Sequence, residues 1–155
     1  MMKPGPPQLS DFLCFAVYSA NLAYGKAYKP ILDKLGVTYT QYLAIVALWE
    51  HDHQTVSGLG EKLFLESNTL TPILKRLESV GYLTRQRSTQ DEQQVVVSLT
   101  DAGRALREQG LEMDLVAATG LSPEEFRILQ KGVAKLRDNL RAHVRKPLTE
   151  TDPHA

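Results

Sequence analysis

The only cysteine in this 155-residue chain is the residue with the most distinctive chemistry. Cys14 lies in the segment from Asp11 to Tyr18, which opens the longest amphipathic helix that the sequence predicts. A lone cysteine cannot form a disulfide within its own chain. It is therefore either a small buried apolar side chain, which is the usual fate of a free cysteine, or a thiol that reacts with a molecule from outside. The residues alone leave both hypotheses open.

Tyrosines share one face of the predicted helix with this cysteine. Cys14, Tyr18 and Tyr28 lie on a stripe beside the main apolar stripe, so the thiol is off the centre of the chain's own core. The helix dipole favours a thiolate near the helix start, although the carboxylate of Asp11 opposes it. Tyr28 is 14 residues beyond Cys14, roughly 21 Å along a helix. It can therefore reach such a sulfur only in a second chain that crosses antiparallel.

No other group of residues predicts a chemical reaction. His51 and His53 are two positions apart and fall on different helix faces, so surface histidines are more common than a metal site in this pattern. No phosphate-binding glycine loop and no serine–histidine–acid motif is recognisable. A thiol peroxidase that used Cys14 would need a cation beside the thiolate, whereas the nearest charge is Asp11. We therefore expect no enzyme activity, no metal and no cofactor.

Composition and charge narrow the class of protein. The chain is 43% hydrophobic, which is enough for the core of one domain, and no apolar run approaches the ~18 residues of a membrane span. With no export leader and a single cysteine, we expect a cytoplasmic protein that does not contact membranes. The 18 basic and 18 acidic residues cancel. Nucleic-acid binding would therefore need a local basic patch.

Hydrophobic periodicity predicts a long first helix. Apolar residues recur at helical spacing from Leu9 to Leu35. Ser10 is a plausible N-cap, Gly25 and Pro30 weaken or split the helix, and Gly36 ends it.

Shorter helices are predicted after it. Thr38 and Gln41 form a capping box before an apolar helix that reaches Trp49. Ser57 is a candidate cap for a short helix that ends near Phe64. A further helix runs from Ser67 to Val80 and stops at Gly81.

Two extended runs and two helices complete the chain. The runs are Leu83 to Arg87 and Val95 to Leu99, with a polar turn between them. Thr100 caps a helix through about Ala118, and Ser122 caps the last helix. That helix has a narrow apolar seam that suits helix pairing, including pairing between subunits: Phe126, Leu129, Val133, Leu136 and Leu140.

This order of elements is typical of a winged helix-turn-helix, mainly α with a small β-hairpin wing and with N- and C-terminal helices outside it. In such a unit the second helix of the pair, here Ser67 to Val80, enters the major groove of DNA. The residues predicted to contact DNA are Ser67, Asn68, Thr69, Thr71, Pro72, Lys75 and Arg76 on that helix, and Arg85 and Arg87 on the next strand.

The charge pattern alone does not decide for DNA. From Lys75 to Arg87 there are four basic residues and one acid, Glu78, a local balance of +3. The alternative is that these residues are the solvated faces of an ordinary amphipathic helix and hairpin. The wing topology favours DNA contact.

Several segments are distinctive together: Leu13-Cys14-Phe15 with Tyr18, Tyr28 to Leu35, Thr38 to Leu43, Leu48 to His51, Leu70 to Glu78, and Val97 to Gly103. Through them the chain, from about Leu9 to about Val144, resembles the MarR-type winged-helix transcriptional regulators. Within that family it is similar to the organic-hydroperoxide sensors of the one-cysteine, OhrR-like type.

The resemblance implies a homodimeric repressor that binds a palindromic operator in double-stranded DNA. It implies a single domain over residues 1–155, with dimerisation helices at about 9–37 and 100–145 and a DNA-binding part at about 38–99. Cys14 would be oxidised by an organic hydroperoxide, after which the operator is released. Tyr28 and Tyr39 of the partner subunit would hold the thiolate, with Tyr18 nearby. A low-molecular-weight thiol would then react with the oxidised cysteine. The alternative is a MarR-type repressor gated by a small phenolic or apolar ligand, with Cys14 unreactive.

The predicted wing departs from the family at one position. Many MarR-type proteins have Asp, any residue, and then Arg in the wing loop, and that Arg enters the minor groove. Here the loop has Asp91, Glu92 and Gln93, so the cation is missing. We expect either a weaker wing contact with the minor groove or a larger share for Arg85 and Arg87.

Overall fold

The fold was obtained as a computed structural model, which describes residues 4–110 and 115–145. The first residues of the predicted N-terminal arm, the predicted helix across 111–114 and the polar tail from Lys146 lie outside these ranges. The chain divides between residues 113 and 114 into two compact units. A single domain over the whole chain stays a prediction.

Helix α1 (Leu13–Leu35) is continuous despite Gly25 and Pro30. It starts later than the sequence predicted, because a 3-10 turn (Leu9–Asp11) precedes it. The predicted cap Ser10 lies within that turn, where the Asp11 carboxylate instead accepts the backbone N–H of Gln8 at 3.1 Å. The prediction that Ser10 caps α1 was therefore wrong.

The end of α1 agrees with the prediction. Gly36 has φ 71°, a left-handed conformation that glycine adopts without a Cβ clash. The N–H groups of Gly36 and Val37 donate to the carbonyls of Asp33 and Leu32 at 3.3 and 3.1 Å. The C-terminal part of α1 is buried, whereas most side chains from Leu13 to Ala27 are exposed in the single chain.

Three further helices form the core of the first unit. They are α2 (Tyr39–Glu50), α3 (Val56–Leu63) and α4 (Ser67–Ser79). The capping box predicted for α2 is confirmed, with Thr38 and Gln41 hydrogen-bonded at 3.0 and 3.3 Å. The cap predicted for α3 was wrong by two residues: Thr55, not Ser57, accepts the N–H of Gly58 at 3.0 Å. Side chains of these helices that are fully buried include Ala44, Ile45, Leu48, Leu59, Leu70, Leu74 and Leu77.

The wing is a three-stranded antiparallel sheet in the order β1-β3-β2. Strands β2 (Leu83–Arg87) and β3 (Val95–Leu99) have the predicted bounds, and Leu83 pairs with Leu99. Strand β1 (Gln54–Thr55) was not predicted, because two residues carry no periodicity. Helix α5 (Asp101–Gly110) comes next in the chain, and Thr100 caps it by accepting the N–H of Gly103 at 3.1 Å.

Side chains tie the base of the wing to the helices. The Asp52 carboxylate accepts the backbone N–H groups of Leu99 and His53, each at 2.9 Å. The Tyr82 hydroxyl donates to the carbonyl of Leu35 at 2.6 Å. The indole N–H of Trp49 donates to the carbonyl of Gly103 at 2.9 Å. The mainly helical winged helix-turn-helix predicted from the sequence is confirmed.

The second unit contains α6 (Leu115–Ala118) and α7 (Pro123–Arg145). Ser122 caps α7 as predicted, accepting the N–H of Glu125 at 3.2 Å. The predicted seam lies on α7, where Leu129, Val133 and Leu140 are exposed. Among the described residues, no helix has both the length and the apolar character that crossing a membrane requires.

Replacing Gly103 by alanine should destabilise the fold. A Cβ there would lie 2.1 Å from the Tyr82 carbonyl oxygen, so backbone must move. We expect the free energy of unfolding to fall by about 1–3 kcal/mol or more, measured by urea denaturation followed by circular dichroism. Gly132→Ala is the matched control, because no atom lies within 4 Å of its Cβ position. It should leave stability unchanged or raise it by up to about 1 kcal/mol. A Gly103→Ala protein as stable as the wild type would contradict this account.

Candidate redox site and nucleic-acid interface

Cys14 is exposed in the first turn of α1. It lines an open apolar groove of about 340 Å³ with Leu9, Phe12, Phe15 and Tyr18. The side chain is therefore not a buried filler of the chain's own core, which was one of the two hypotheses. Cys14 thus lies nearer the helix start than the sequence predicted.

The predicted redox-site tyrosines fall into two groups within one chain. Tyr18 belongs to the Cys14 end of α1, where its ring centroid lies 6.5 Å from that of Phe15. Tyr28 and Tyr39 contact each other at the other end, with ring centroids 5.1 Å apart. Fourteen helical residues separate Tyr28 from Cys14, roughly 21 Å. One chain alone thus does not bring Cys14 to Tyr28 and Tyr39.

Burial raises the pKa of these phenols further above neutral pH. Desolvation raises the pKa of Tyr28 to about 12, and the neighbouring Tyr39, Tyr42 and Tyr24 act in the same direction. Desolvation also raises the pKa of Tyr39 and of Tyr42 above the usual 10.0. Each hydroxyl is therefore a hydrogen-bond donor at neutral pH. Donation to a thiolate favours the charged sulfur.

The structure adds two aromatic residues that the sequence analysis did not place in the site. The ring of Tyr42 lies 5.8 Å from that of Tyr28 and 5.8 Å from that of Trp49, edge-on to the indole at 82°. Tyr42 and Trp49 are seven residues apart in α2, which puts them on one helix face. That spacing is a signal in the sequence from which their contact could have been predicted.

Helix α4 exposes most of the residues predicted to contact DNA. Its core face buries Leu70, Leu74 and Leu77. The helix exposes Ser67, Asn68, Thr69, Pro72, Lys75 and Arg76. Thr71 is half-buried, and its hydroxyl donates to the Ser67 carbonyl at 2.7 Å. Asn68 and Lys75 thus lie on the face away from the core, whereas Arg76 is exposed beside the end of α1, where it lines a groove with Asp33 and Gly36.

Arg85 is held differently from the other basic residues. Its guanidinium pairs with the Glu78 carboxylate at 3.2 Å, and its backbone N–H donates to the same carboxylate at 2.9 Å. The side chain is half-buried, whereas Arg87 is exposed. Glu78 thus cancels the charge of Arg85 and joins α4 to the wing. The positive charge of the candidate DNA interface is carried by Lys75, Arg76 and Arg87.

Comparison with known proteins identifies the family to which the chain belongs. The family model described as "Transcriptional regulator SarA/Rot" matches residues 26–109. The chain is 42% identical over 135 residues to the "Organic hydroperoxide resistance transcriptional regulator" of Bacillus subtilis, covering 86% of this chain and 92% of that protein. The chain belongs to the MarR/SarA family of winged-helix transcriptional regulators.

Other family members are similar over almost the whole chain. The HTH-type transcriptional regulator TtmR of Methylorubrum extorquens is 44% identical over 96% of this chain and 76% of its own. Reduced AbfR bound to DNA, a structure 34% identical in sequence, superposes with a TM-score of 0.75 over 89% of this chain and 96% of that one. The Staphylococcus epidermidis AbfR has also been solved overoxidised on DNA and in a disulfide form.

The wing loop differs from the MarR-type pattern as the sequence indicated. Gln93 is exposed, and its backbone N–H donates to the Asp91 carboxylate at 3.0 Å. The Ser88 hydroxyl accepts the N–H groups of Gln90 and Asp91 at 3.2 and 3.4 Å. The loop is thus a compact polar turn with no cation between Ser88 and Gln94.

Histidines do not build a metal site in the described part of the chain. His53 Nδ1 lies 2.7 Å from the Ser98 hydroxyl and serves the base of the wing. Among residues 4–110 and 115–145, no group of three or more histidine, cysteine or acidic side chains is placed to bind a metal ion.

Replacing Arg76 by alanine should weaken DNA binding. If the side chain contacts a base, the loss should be about 1–3 kcal/mol and specific to one position of the site. If it contacts a phosphate, binding should weaken equally on all duplexes and the salt dependence should fall. Affinity is measured by fluorescence anisotropy on a duplex that the reduced protein selects from a random library.

The matched control is Arg107→Ala, an exposed arginine on α5 outside the recognition helix and the wing. Its affinity should stay at the wild-type value. Wild-type affinity of Arg76→Ala on every duplex would remove this residue from the DNA interface.

Proposed function

We propose that the protein is a homodimeric repressor that holds a palindromic operator in its reduced state and releases it when an organic hydroperoxide oxidises Cys14. One observation carries the proposal. The only cysteine lies exposed on an apolar stretch of α1, while the protonated Tyr28 and Tyr39 form a pair at the opposite end. Relatives support it, since one is named for organic hydroperoxide resistance and AbfR is described in reduced, overoxidised and disulfide forms.

Dimerisation would cover apolar surface that water otherwise contacts. Leu13 is 61% exposed and Leu22 is 50% exposed on α1, and Ile128 is 65% exposed on α7. A soluble monomer rarely leaves so many large apolar side chains in contact with water. Two α1 helices crossing antiparallel would bring the partner's Tyr28 and Tyr39 to Cys14, which a single chain cannot do.

The dimer has a direct test. Light scattering at micromolar concentration should give twice the chain mass of 17.3 kDa. Leu13→Glu should lower that mass, because a charge would be buried in the α1 pairing. As a control, Lys29→Glu exchanges a charged residue that is already exposed on the same helix and should keep the dimer. A wild-type mass of one chain would contradict the proposed arrangement.

The chemistry of the switch is a two-electron oxidation. The Cys14 thiolate attacks the terminal oxygen of the hydroperoxide, the O–O bond breaks, and the departing alkoxide takes up a proton to become an alcohol. The sulfur becomes a sulfenic acid. The hydroxyls of Tyr28 and Tyr39 would donate hydrogen bonds to the thiolate. Oxidation removes the negative charge of the sulfur and so weakens these hydrogen bonds.

The sulfenic acid must react next with a group from outside the site, since the chain has no second cysteine. A low-molecular-weight thiol can displace the sulfenic hydroxyl as water and leave a mixed disulfide. Further peroxide would oxidise the sulfenic acid irreversibly. Each subunit reacts about once and does not turn over, so we propose no enzyme activity, metal or cofactor. A chromosomal operator implies that the repressor acts in the cytoplasm.

The decisive experiment compares Cys14→Ser with the wild type. Both should bind the selected duplex when reduced, because the serine is isosteric and Cys14 is outside the DNA interface. Cumene hydroperoxide with added cysteine should release DNA from the wild type only. Release from Cys14→Ser as well would support the ligand-gated alternative, in which Cys14 is a bystander.

Tyr28→Phe and Tyr39→Phe test the partner-subunit tyrosines. Each change keeps the ring and removes the hydroxyl, so DNA binding should remain while thiol oxidation slows, because the thiolate is less stabilised. The rate is measured as loss of free thiol. Tyr82→Phe, which removes a hydroxyl that donates to the Leu35 carbonyl and not to the redox site, is the control and should react at the wild-type rate.

A further inference from the structure

Three aromatic side chains form a continuous row, which we call the aromatic row: Tyr28, Tyr42 and Trp49. Their ring centroids are 5.8 Å apart at each step. Tyr28 belongs to α1, and the other two belong to α2. Tyr42 is the middle member and touches both neighbours. Contacts at these distances are typical of aromatic pairs that stabilise each other beyond the burial of area.

The far end of the row is fixed to α5. The Trp49 indole N–H donates to the Gly103 carbonyl at 2.9 Å. Gly103 in turn lies against the Tyr82 carbonyl, so closely that a Cβ would be 2.1 Å away. The backbone N–H of Thr100 donates to that same carbonyl at 3.1 Å. Tyr82 directly precedes β2, the first strand of the wing hairpin. The row therefore ends where α2, α5 and the wing meet without spare space.

A close-packed contact of this kind cannot absorb a displaced ring by compressing. The three rings are half-buried against the core, so a shift of Tyr28 either carries Tyr42 and the edge-on indole with it or breaks a ring contact. Tyr39 is the other ring neighbour of Tyr28, but it lies in the first turn of α2 beside the cap. Tyr42 gives a ring-to-ring route from Tyr28 towards the wing, in addition to the backbone route from the end of α1 through the hydrogen bond from Tyr82 to Leu35.

We propose that Tyr42 is a positioning residue that holds the Tyr28 ring and passes its displacement through Trp49 to the base of the wing. This inference rests on the proposed function, in which Tyr28 donates to Cys14 of the other subunit. Loss of that hydrogen bond on oxidation frees Tyr28, and the aromatic row converts its movement into a shift of α5 and the wing. The half of the dimer that donates the tyrosine is thus the half whose wing moves.

The first test separates coupling from DNA binding itself. Dissociation constants are measured on the selected duplex for the reduced protein and again after complete loss of the Cys14 thiol. For the wild type the ratio of the two should lie in the range of about 5–150 that is typical of coupled sites. Tyr42→Leu removes the ring and should keep the reduced affinity while the ratio falls towards one. Tyr42→Phe keeps the ring and should retain the wild-type ratio.

The second test uses the fact that Trp49 is the only tryptophan in the sequence. Oxidation of the wild type by cumene hydroperoxide should change the tryptophan emission in proportion to the thiol lost. Cys14→Ser and Tyr42→Leu should show no such change, and Tyr42→Phe should show it. This signal needs no DNA, and its wild-type arm decides the matter even if Tyr42→Leu does not fold.

The outcomes distinguish the aromatic row from the proposed function. Release of DNA by the oxidised wild type with unchanged Trp49 emission overturns the aromatic row and leaves the proposed function standing. A wild-type ratio in Tyr42→Leu overturns it as well. An oxidised wild type that keeps its DNA affinity overturns the proposed function, and the inference fails with it.

Discussion

The close approach of α5 to the carbonyl of Tyr82 is the constraint on which the first unit depends. Only glycine fits at position 103, because any Cβ would overlap the Tyr82 oxygen. That approach lets Trp49 reach the Gly103 carbonyl, and Tyr82 itself reaches back to Leu35 at the end of α1. One small contact region thus joins the first helix, the core helix α2, the wing and α5. A displacement of one of these elements would therefore strain its contacts with the others.

A second constraint is the apolar face that the N-terminal part of α1 leaves uncovered. The C-terminal part of the same helix is buried in the first unit, so α1 has two different environments along one continuous rod. Cys14 lies at the uncovered end and Tyr28 at the boundary of the buried end. A symmetric partner would cover the exposed face and give the thiol its donors together. Burial would also shield the thiolate from water, so that its stability depends on those phenols.

Much of the fold was predictable from the sequence because local signals agreed with the final packing. Thr38 with Gln41, Ser122 with Pro123, and Gly36 mark helix ends through backbone chemistry that does not depend on distant residues. The two wing strands were predicted at their observed bounds because their extended runs and the polar turn between them are also local signals. Ser10 and Ser57 failed as caps because both lie inside a helical segment that begins earlier. Ser10 lies within the 3-10 turn, and Ser57 lies within α3, which Thr55 caps.

The site was less predictable, because it depends on contacts between distant parts of the chain. From the charge count, Arg85 was grouped with the other cations of the candidate DNA interface. In the structure β2 packs against α4, and Arg85 forms an ion pair with Glu78. The pairing of Tyr28 with Tyr39 and Tyr42 needs the angle between α1 and α2, which no local pattern carries. Cys14 was found by its rarity and its neighbours, whereas its exposure required the structure.

Magnitudes favour ring packing over surface charge as the carrier of the proposed signal. A hundredfold loss of DNA affinity corresponds to about 2.8 kcal/mol, since each factor of ten is about 1.4 kcal/mol. In the proposed dimer, two subunits would contribute four contacts of the aromatic row, at about 0.5–1.5 kcal/mol each, which together span that requirement. Exposed ion pairs such as Lys29 with Asp33 are worth about 0–1 kcal/mol and are screened by salt. A switch built on them would weaken as ionic strength rose, in step with DNA binding itself. A switch built on packed rings keeps its coupling while the phosphate contacts weaken, because packing against Tyr42 and Trp49 carries no net charge.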